Sequence, residues 1–134
     1  NYKVVHIDET DSTNRWLKEH DSPADENVVV WADYQTAGRG CGTNTWESER
    51  GKNLLFSILI HPQWVRADEQ FFLSMAISNA VRRTLDFYLF PRSEVKWPND
   101  VYVNDGKVCG ILIENSLQGD SIQDCILGIG LNVT

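Results

Sequence analysis

A loop rich in glycine carries an arginine whose surroundings favour contact with an anion. The segment GRGCGTNTW, residues 38–46, places Arg39 between Gly38 and Gly40. Glycine lets backbone amides approach a ligand closely, and a guanidinium offers a rigid fork of donors to phosphate or carboxylate. The indole of Trp46 is suited to cover a planar group such as adenine. The pattern predicts an anion-holding loop, although a surface loop with a solvated arginine has the same composition.

A second group of polar residues surrounds a rigid turn in EVKWPND, residues 94–100. Pro98 fixes its own backbone angle and removes an amide donor, so Lys96 and Asp100 should stand at opposite ends of a corner between two short strands. Such a corner can hold charges in defined positions. The same pattern also fits an ordinary surface turn that Asn99 and Asp100 stabilise, and the residues alone leave both interpretations open.

Glycines and polar residues also alternate in the later strands. Lys107 opens the run KVCGILIE, in which Gly110 would let another group approach the backbone. In GIGLN, Gly128 and Gly130 precede Asn132, whose side-chain amide could contact a base edge or a phosphate. Each glycine is equally compatible with a β-bulge or a packing requirement.

Two hydroxyl residues stand where a short helix should begin. Ser12 and Thr13 follow Asp11, and either Asp11 or Ser12 would cap the first free amides of that helix. Hydroxyl groups clustered at a helix start can also bind a small polar ring. The three histidines of the chain show no spacing typical of a metal site or a catalytic triad, and we predict structural or exposed roles for them.

The strands and helices that position these residues are unevenly distributed along the sequence. Apolar residues recur at helical spacing over residues 67–89, namely Leu73, Ile77, Ala80, Val81, Leu85 and Tyr88. Strands are predicted for YKVVHID, VVVWADY (buried), LLFSILI, EVKW, VYV, VCGILIE and CILGIGLNV, the last four as a meander with tight turns. Helices gather early and strands late. The sequence therefore predicts an α+β fold with helices packed on a mixed, largely antiparallel sheet.

Composition excludes several classes of protein. The 134 residues and the hydrophobic fraction of 42% suit one domain. The formal net charge of −7 argues against binding to nucleic acid or an anionic membrane. The three widely spaced cysteines are typical of reduced thiols in a cytoplasmic protein. No apolar run approaches the ~20 residues of a membrane span.

Five strings in order resemble one family. DSTN, YQTAGRG, GKNLLFSILIHP, EVKWPNDVYVNDGKVCGILIE and GIGLNV, taken together from about residue 7 to the end, are similar to the biotin protein ligases. The resemblance implies a fold like that of class II synthetases and biotin/lipoate ligases. Residues 1–134 would be a catalytic domain, and we expect it to be incomplete at the C-terminus. We also expect neither a helix-turn-helix domain, for which too few residues precede DSTN, nor a C-terminal β-barrel domain.

The resemblance further implies a cytoplasmic enzyme that adenylates biotin with ATP and Mg²⁺. The enzyme would then pass the biotinyl group to a lysine of a carboxylase's biotin carboxyl carrier domain. Because the biotin carboxylate must approach the α-phosphate, positive charge is needed between the two anions. Arg39 and Lys107 are the candidates by similarity, and Asp100 would orient the incoming lysine amine.

The remaining roles implied by the resemblance concern binding. The biotin-binding residues would be Ser12, Thr13, Gln35, Gly38, Arg39, Gly40, Lys107 and Gly110. The nucleotide-binding residues would be Arg39, Trp46, Lys96, Asn99 and Asn132. No side chain is assigned as a direct metal ligand, and Mg²⁺ is expected to enter with ATP. A homodimer would be consistent with the family, but the sequence identifies no exposed strand to form it.

One departure and three rival functions remain. Many family members carry further basic residues after GRG, where this chain has Cys41, Gly42, Thr43 and Asn44. We therefore expect its adenylate to leak more readily. The rivals are a lipoate or octanoate ligase, a transcriptional repressor and a non-catalytic biotin-binding fragment; the acidic charge argues against the repressor.

Overall fold

The protein is an α+β domain built on one seven-stranded sheet, as seen in a computed structural model that describes residues 2–20, 26–38, 53–88, 93–96, 100–103 and 106–132. The strands are β1 (Tyr2–Thr10), β2 (Asn27–Gln35), β3 (Asn53–Ile60), β4 (Ser93–Lys96), β5 (Asp100–Val103), β6 (Gly106–Gln118) and β7 (Ser121–Asn132). The helices are α1 (Thr13–Glu19) and α2 (Gln70–Tyr88), and a 3-10 turn at Ala67–Glu69 leads into α2.

The sheet is mixed but largely antiparallel. Its strand order is β1-β2-β3-β7-β6-β5-β4. Only β1 and β2 pair in parallel, and α1 forms the crossover between them. The other neighbouring strands pair in antiparallel fashion. This architecture confirms the fold class predicted from the sequence, including the late meander.

The two helices cover opposite faces of the sheet. On one face, Leu17 of α1 packs in a cluster with Val28, Val30, Leu59 and Ile126. On the other, Leu73, Ile77 and Val81 of α2 pack against two clusters of the late strands, made by Cys109, Ile111 and Leu131 and by Ile122, Cys125 and Leu127. Side chains alternate across a strand, so adjacent residues of β7 enter different cores.

Two sequence predictions need correction. The run VVVWADY was expected to be a buried strand, but in β2 only alternate residues, Val28, Val30 and Ala32, are buried. The reason is that side chains alternate across the strand, and Val28 and Val30 lie on the face that Leu17 of α1 covers. In α2, Ala80 was expected on the inner face, but it is exposed. The prediction of the helix itself is confirmed.

The turn between β6 and β7 agrees with the sequence prediction, whereas residues 98–99 and 104–105, where the other late turns were predicted, lie outside the described residues. The β6–β7 hairpin turns at Gly119, whose φ of 60° lies in the left-handed region that glycine adopts without strain. Among the helices that the structure describes, none has the length and apolarity to span a membrane.

Candidate ligand-binding site

Ser12 caps the N-terminus of α1. Its Oγ accepts a hydrogen bond from the backbone N–H of Arg15 at 3.1 Å, and its own N–H donates to Oδ1 of Asp11 at 2.7 Å. The sequence left Asp11 and Ser12 as alternative caps, and the structure selects Ser12. Capping occupies one lone pair of the hydroxyl and leaves its hydrogen for another acceptor. The capping and ligand-binding interpretations of Ser12 are therefore compatible.

Thr13 connects three elements through hydrogen bonds. Its backbone N–H donates to Oε1 of Gln35 at 2.8 Å, and its Oγ1 lies 3.0 Å from the same oxygen. The hydroxyls of Thr13 and Ser57 are 2.6 Å apart. Thr13 is 2% exposed and Ser57 is fully buried. The structure thus brings together two predicted biotin residues, Thr13 and Gln35, and adds Ser57 from β3.

Asn14 extends this cluster to β6. Oγ of Ser57 lies 2.5 Å from Oδ1 of Asn14, and Nδ2 of Asn14 donates to Oε1 of Glu114 at 2.9 Å. The ammonium of Lys18 forms an ion pair with the other oxygen of Glu114. Sequence reasoning missed these residues. The available signal was Ser57, a polar residue at a core-facing position of the apolar run LLFSILI.

The close approach of Asn14 requires a glycine at position 128. A Cβ added at Gly128 would lie 2.9 Å from Cγ of Asn14, which is too close for any real contact. The backbone of Gly128 pairs with Ser57 on one side and Leu112 on the other. Asn14 therefore sits over a gap in the sheet that only glycine provides. Of the alternatives that the sequence left open for this residue, packing is the correct one.

The strand register aligns several other predicted residues in one row. Gly110 pairs with Gly130, and Gly130 pairs with Leu55 of β3. On the other side, Gly110 pairs with Asp100, and Asp100 pairs with Lys96 of β4. Gly130 lies two residues further along β7 than Gly128, on the face of the sheet that α1 covers. The two glycines leave a strip without side chains beside the cluster around Thr13.

A cavity of about 430 Å³ opens beside the start of α1. It is lined by Asp11, Ser12, Arg15, Lys18, Glu19, Ala37 and Gly38. Its charged groups are paired: Arg15 contacts Asp11 at 3.2 Å and Glu19 at 2.7 Å. The hydrogen bond that Arg15 donates to Glu19, together with the negative charges of Glu19 and Asp11, raises the pKa of Arg15. The predicted ligand residues Ser12 and Gly38 therefore border a space large enough for a small molecule.

Several predicted site residues lie outside the described part of the structure. Arg39, Gly40, Trp46 and Asn99 are among them, as are residues 41–44. Lys96, Asp100, Lys107 and Asn132 are placed by their backbones in β4, β5, β6 and β7, and Lys107 pairs with Tyr102. The roles of all these residues remain predictions.

The described cysteines have no catalytic environment. Cys109 and Cys125 are free thiols and fully buried. Burial raises the pKa of Cys125 to about 12, so it carries almost no thiolate at neutral pH. Within the described residues there is no cluster of three or more histidine, cysteine or carboxylate side chains suited to a metal ion.

The fold and the site together define an α+β domain with a polar cluster and a cavity at the start of a short crossover helix. The chain belongs to the Biotin/lipoate A/B protein ligase family, whose model matches residues 7–132. This membership confirms the resemblance seen in the five sequence strings.

Individual relatives support the same assignment. The bifunctional ligase/repressor BirA of Bacillus spizizenii is 32% identical over 127 residues, which are 95% of this chain and 38% of that protein. The biotin–[acetyl-CoA-carboxylase] ligase of Paracoccus denitrificans is 35% identical over 127 residues, 92% of this chain and 52% of its own length. The chain thus spans about half, or less, of these relatives.

A solved structure agrees with the fold. The biotin protein ligase of Leishmania major in complex with biotinyl-5-AMP matches 97% of this chain and 57% of its own, with a TM-score of 0.79 and 28% identity. The agreement in fold extends over nearly all of the chain.

Proposed function

We propose that the protein to which this chain belongs activates biotin with ATP and transfers it to a lysine of a biotin carboxyl carrier domain. The observation that carries the proposal is the buried cluster of Thr13, Gln35, Ser57 and Asn14 in a chain of this family. The cluster supplies hydroxyl and amide groups for a small polar ring, and the ureido ring of biotin has both N–H donors and a carbonyl acceptor. The two relatives and the solved structure compared above are all named as ligases. Two of them are named as ligases for biotin, which supports biotin over lipoate or octanoate as the substrate.

The first chemical step joins two anions. A carboxylate oxygen of biotin attacks the α-phosphorus of ATP, the bond to the bridging oxygen breaks, and pyrophosphate leaves. Arg39 and Lys107 would supply the positive charge between the carboxylate and the phosphate. Ser12, Thr13, Gln35, Gly38 and Gly40 would hold the ureido end, with Gly110 beside the ring.

The nucleotide would lie along the strip that begins at Gly110 and Gly130. Trp46 would cover the adenine, and Asn132 would lie beside the nucleotide. Lys96, Asn99 and Asp100 would line the side of the phosphates, where the oxygens of Asn99 and Asp100 are of the type that Mg²⁺ prefers. Mg²⁺ bound with ATP would offset phosphate charge.

The second step transfers the acyl group. The lysine amine of the carrier domain attacks the acyl carbon of biotinyl-AMP, AMP leaves, and the amine loses a proton. Asp100 would orient that amine. We infer a cytoplasmic location for this reaction, which the three widely spaced cysteines, typical of reduced thiols, support. If two copies assemble through a sheet edge, β1 and β4 are the edge strands of the described sheet.

An adenylation assay tests this function. The full-length protein is incubated with biotin, ATP and Mg²⁺, and biotinyl-AMP is detected by mass spectrometry, with lipoate and octanoate in parallel. We expect adenylate from biotin alone, with losses of about a hundredfold or more in Arg39→Ala and Lys107→Ala. Adenylate from lipoate or octanoate instead would reassign the substrate. Biotin binding without adenylate would make the protein a biotin-binding module.

A further inference from the structure

The cluster around Thr13 contains more acceptor contacts than hydroxyl hydrogens. Four oxygens follow one another: Oε1 of Gln35, Oγ1 of Thr13, Oγ of Ser57 and Oδ1 of Asn14, at successive separations of 3.0, 2.6 and 2.5 Å. Thr13 and Ser57 each bring one hydroxyl hydrogen, and the two amide oxygens bring none. One of the three separations must therefore lack a hydrogen.

The contacts of Glu114 determine which of the three oxygen–oxygen separations lacks a hydrogen. Its carboxylate is the counter-charge of Lys18 and can only accept, so Asn14 must turn its Nδ2 toward Glu114 and its Oδ1 toward Ser57. The hydrogen of Ser57 then points to Asn14. The hydrogen of Thr13 must fill the 2.6 Å separation to Ser57, because two oxygens that close repel each other without one.

The consequence concerns Thr13 and Gln35, at the other end of this row of four oxygens. Oγ1 of Thr13 and Oε1 of Gln35, 3.0 Å apart, are left facing each other as acceptors. Oε1 of Gln35 already accepts the backbone N–H of Thr13, and an amide oxygen can accept a second hydrogen bond. A ligand N–H directed at the two oxygens would supply the donor that Oγ1 of Thr13 lacks. If Asn14 turned over, the hydrogens of Ser57 and Thr13 would reverse, and the Thr13 hydroxyl would donate to Oε1 of Gln35 and place its hydrogen where the ligand N–H would bind.

We propose that the Lys18–Glu114 ion pair is a positioning device that holds Asn14 in one orientation and so keeps Thr13 and Gln35 as a pair of acceptors for a ring N–H of the substrate. This inference rests on the proposed function, since biotin is the ligand whose ureido ring would bring that N–H. Glu114 acts through Asn14 and Ser57, which are 3% exposed and fully buried. It is therefore a positioning residue rather than a catalytic one.

The test compares biotin with its two singly ring-N-methylated derivatives. Binding of each to the full-length protein is measured by calorimetry in the wild type and in Glu114→Gln. A glutamine side chain can donate or accept, so it no longer imposes one orientation on Asn14. We expect the Kd for biotin to rise about tenfold in Glu114→Gln. The Kd for the derivative that lacks the N–H directed at Thr13 and Gln35 should change little. Discrimination between the two ligands should fall by the same factor.

Kinetics separate positioning from general damage to the fold. In Glu114→Gln the KM for biotin should rise while kcat for adenylation stays within about twofold, because the lost contact binds substrate and transition state alike. Ser57→Ala removes the hydroxyl between Thr13 and Asn14 and should lose the same discrimination between ligands. This variant tests the inference if Glu114→Gln folds poorly. Asp86→Asn is the matched control. It removes the carboxylate of an ion pair with Arg82 in α2, on the other face of the sheet, and this pair is about as exposed as the pair of Lys18 and Glu114.

The outcomes are distinct. Unchanged discrimination in both Glu114→Gln and Ser57→Ala overturns the inference and leaves the proposed function standing. An equal loss of affinity for biotin and both derivatives also overturns it, because a purely structural role would produce that result. Failure of the wild type to bind biotin at all overturns the proposed function itself.

Discussion

Asn14 is the residue on which the local geometry of the site depends most. Its side chain lies over Gly128, accepts from Ser57 and donates to Glu114, and so joins α1 to β3, β6 and β7. Each of these contacts is made by a buried or half-buried polar group, which is costly to leave unpaired. A change at any one of these contacts should therefore alter the position of Thr13, the residue next to Asn14.

Gly128→Ala tests this dependence with one methyl group. The new Cβ would meet the amide of Asn14, and relief requires Asn14 to move away from Ser57. We expect a loss of about 1–3 kcal/mol in the free energy of unfolding and a clear rise in the Kd for biotin. Urea unfolding and calorimetry measure the two quantities.

Gly119→Ala is the comparison for Gly128→Ala. It also adds a methyl group, but nothing lies within 4 Å of its Cβ, and its cost comes from its φ of 60° alone. This variant should lose stability without losing biotin affinity. If the two variants behaved alike in binding, the role assigned to Asn14 would be wrong.

At the scale of elements, α1 is a short helix held in place by tertiary contacts. It has seven residues, too few to be stable alone in water. Leu17 is its principal apolar anchor and is 4% exposed. The position of the candidate ligand-binding residues at the start of α1 therefore depends on a hydrophobic contact one turn further along.

Leu17→Ala should loosen the helix and the site together. Loss of the side chain leaves a cavity between α1 and the sheet, with an expected cost of about 2–5 kcal/mol, and the Kd for biotin should rise because Thr13 loses its fixed position. Leu117→Ala, on the β6–β7 hairpin and 51% exposed, removes the same atoms and should change neither quantity by much. A Leu17→Ala protein of normal stability would contradict the anchoring role.

The elements themselves were predictable from the sequence, but their contacts across the chain were not. Apolar periodicity located α2, and the turn residues located the late hairpins, because both signals are local. The parallel pairing of β1 with β2 and the bond between Asn14 and Ser57, 43 residues apart, depend on tertiary packing. Ser12 and Thr13 were found because a helix start has its own sequence pattern, whereas Glu114 looked like any polar residue at the end of an apolar strand.

For the molecule as a whole, the single sheet separates two regions of different character. The face under α1 carries the polar cluster and the glycine strip beside the apolar cluster of Leu17, and the face under α2 carries the two apolar clusters of the late strands. Cys109 and Cys125 both belong to these two clusters. Their burial makes them reporters of the cooperative unfolding of the sheet rather than of events at the ligand site.

Alkylation of these thiols should follow global unfolding. The pKa of Cys125, raised to about 12 by burial, leaves almost no thiolate at pH 8, and neither thiol is accessible in the folded state. We expect that iodoacetamide labelling, mapped by peptide mass spectrometry along a urea series, modifies both residues along the unfolding curve measured by circular dichroism. Added biotin should shift both curves together to higher urea, since a ligand that binds only the folded state stabilises all of it. Labelling of Cys125 before the unfolding transition would show that β7 opens locally, and the stability of the sheet would then not be that of one cooperative unit.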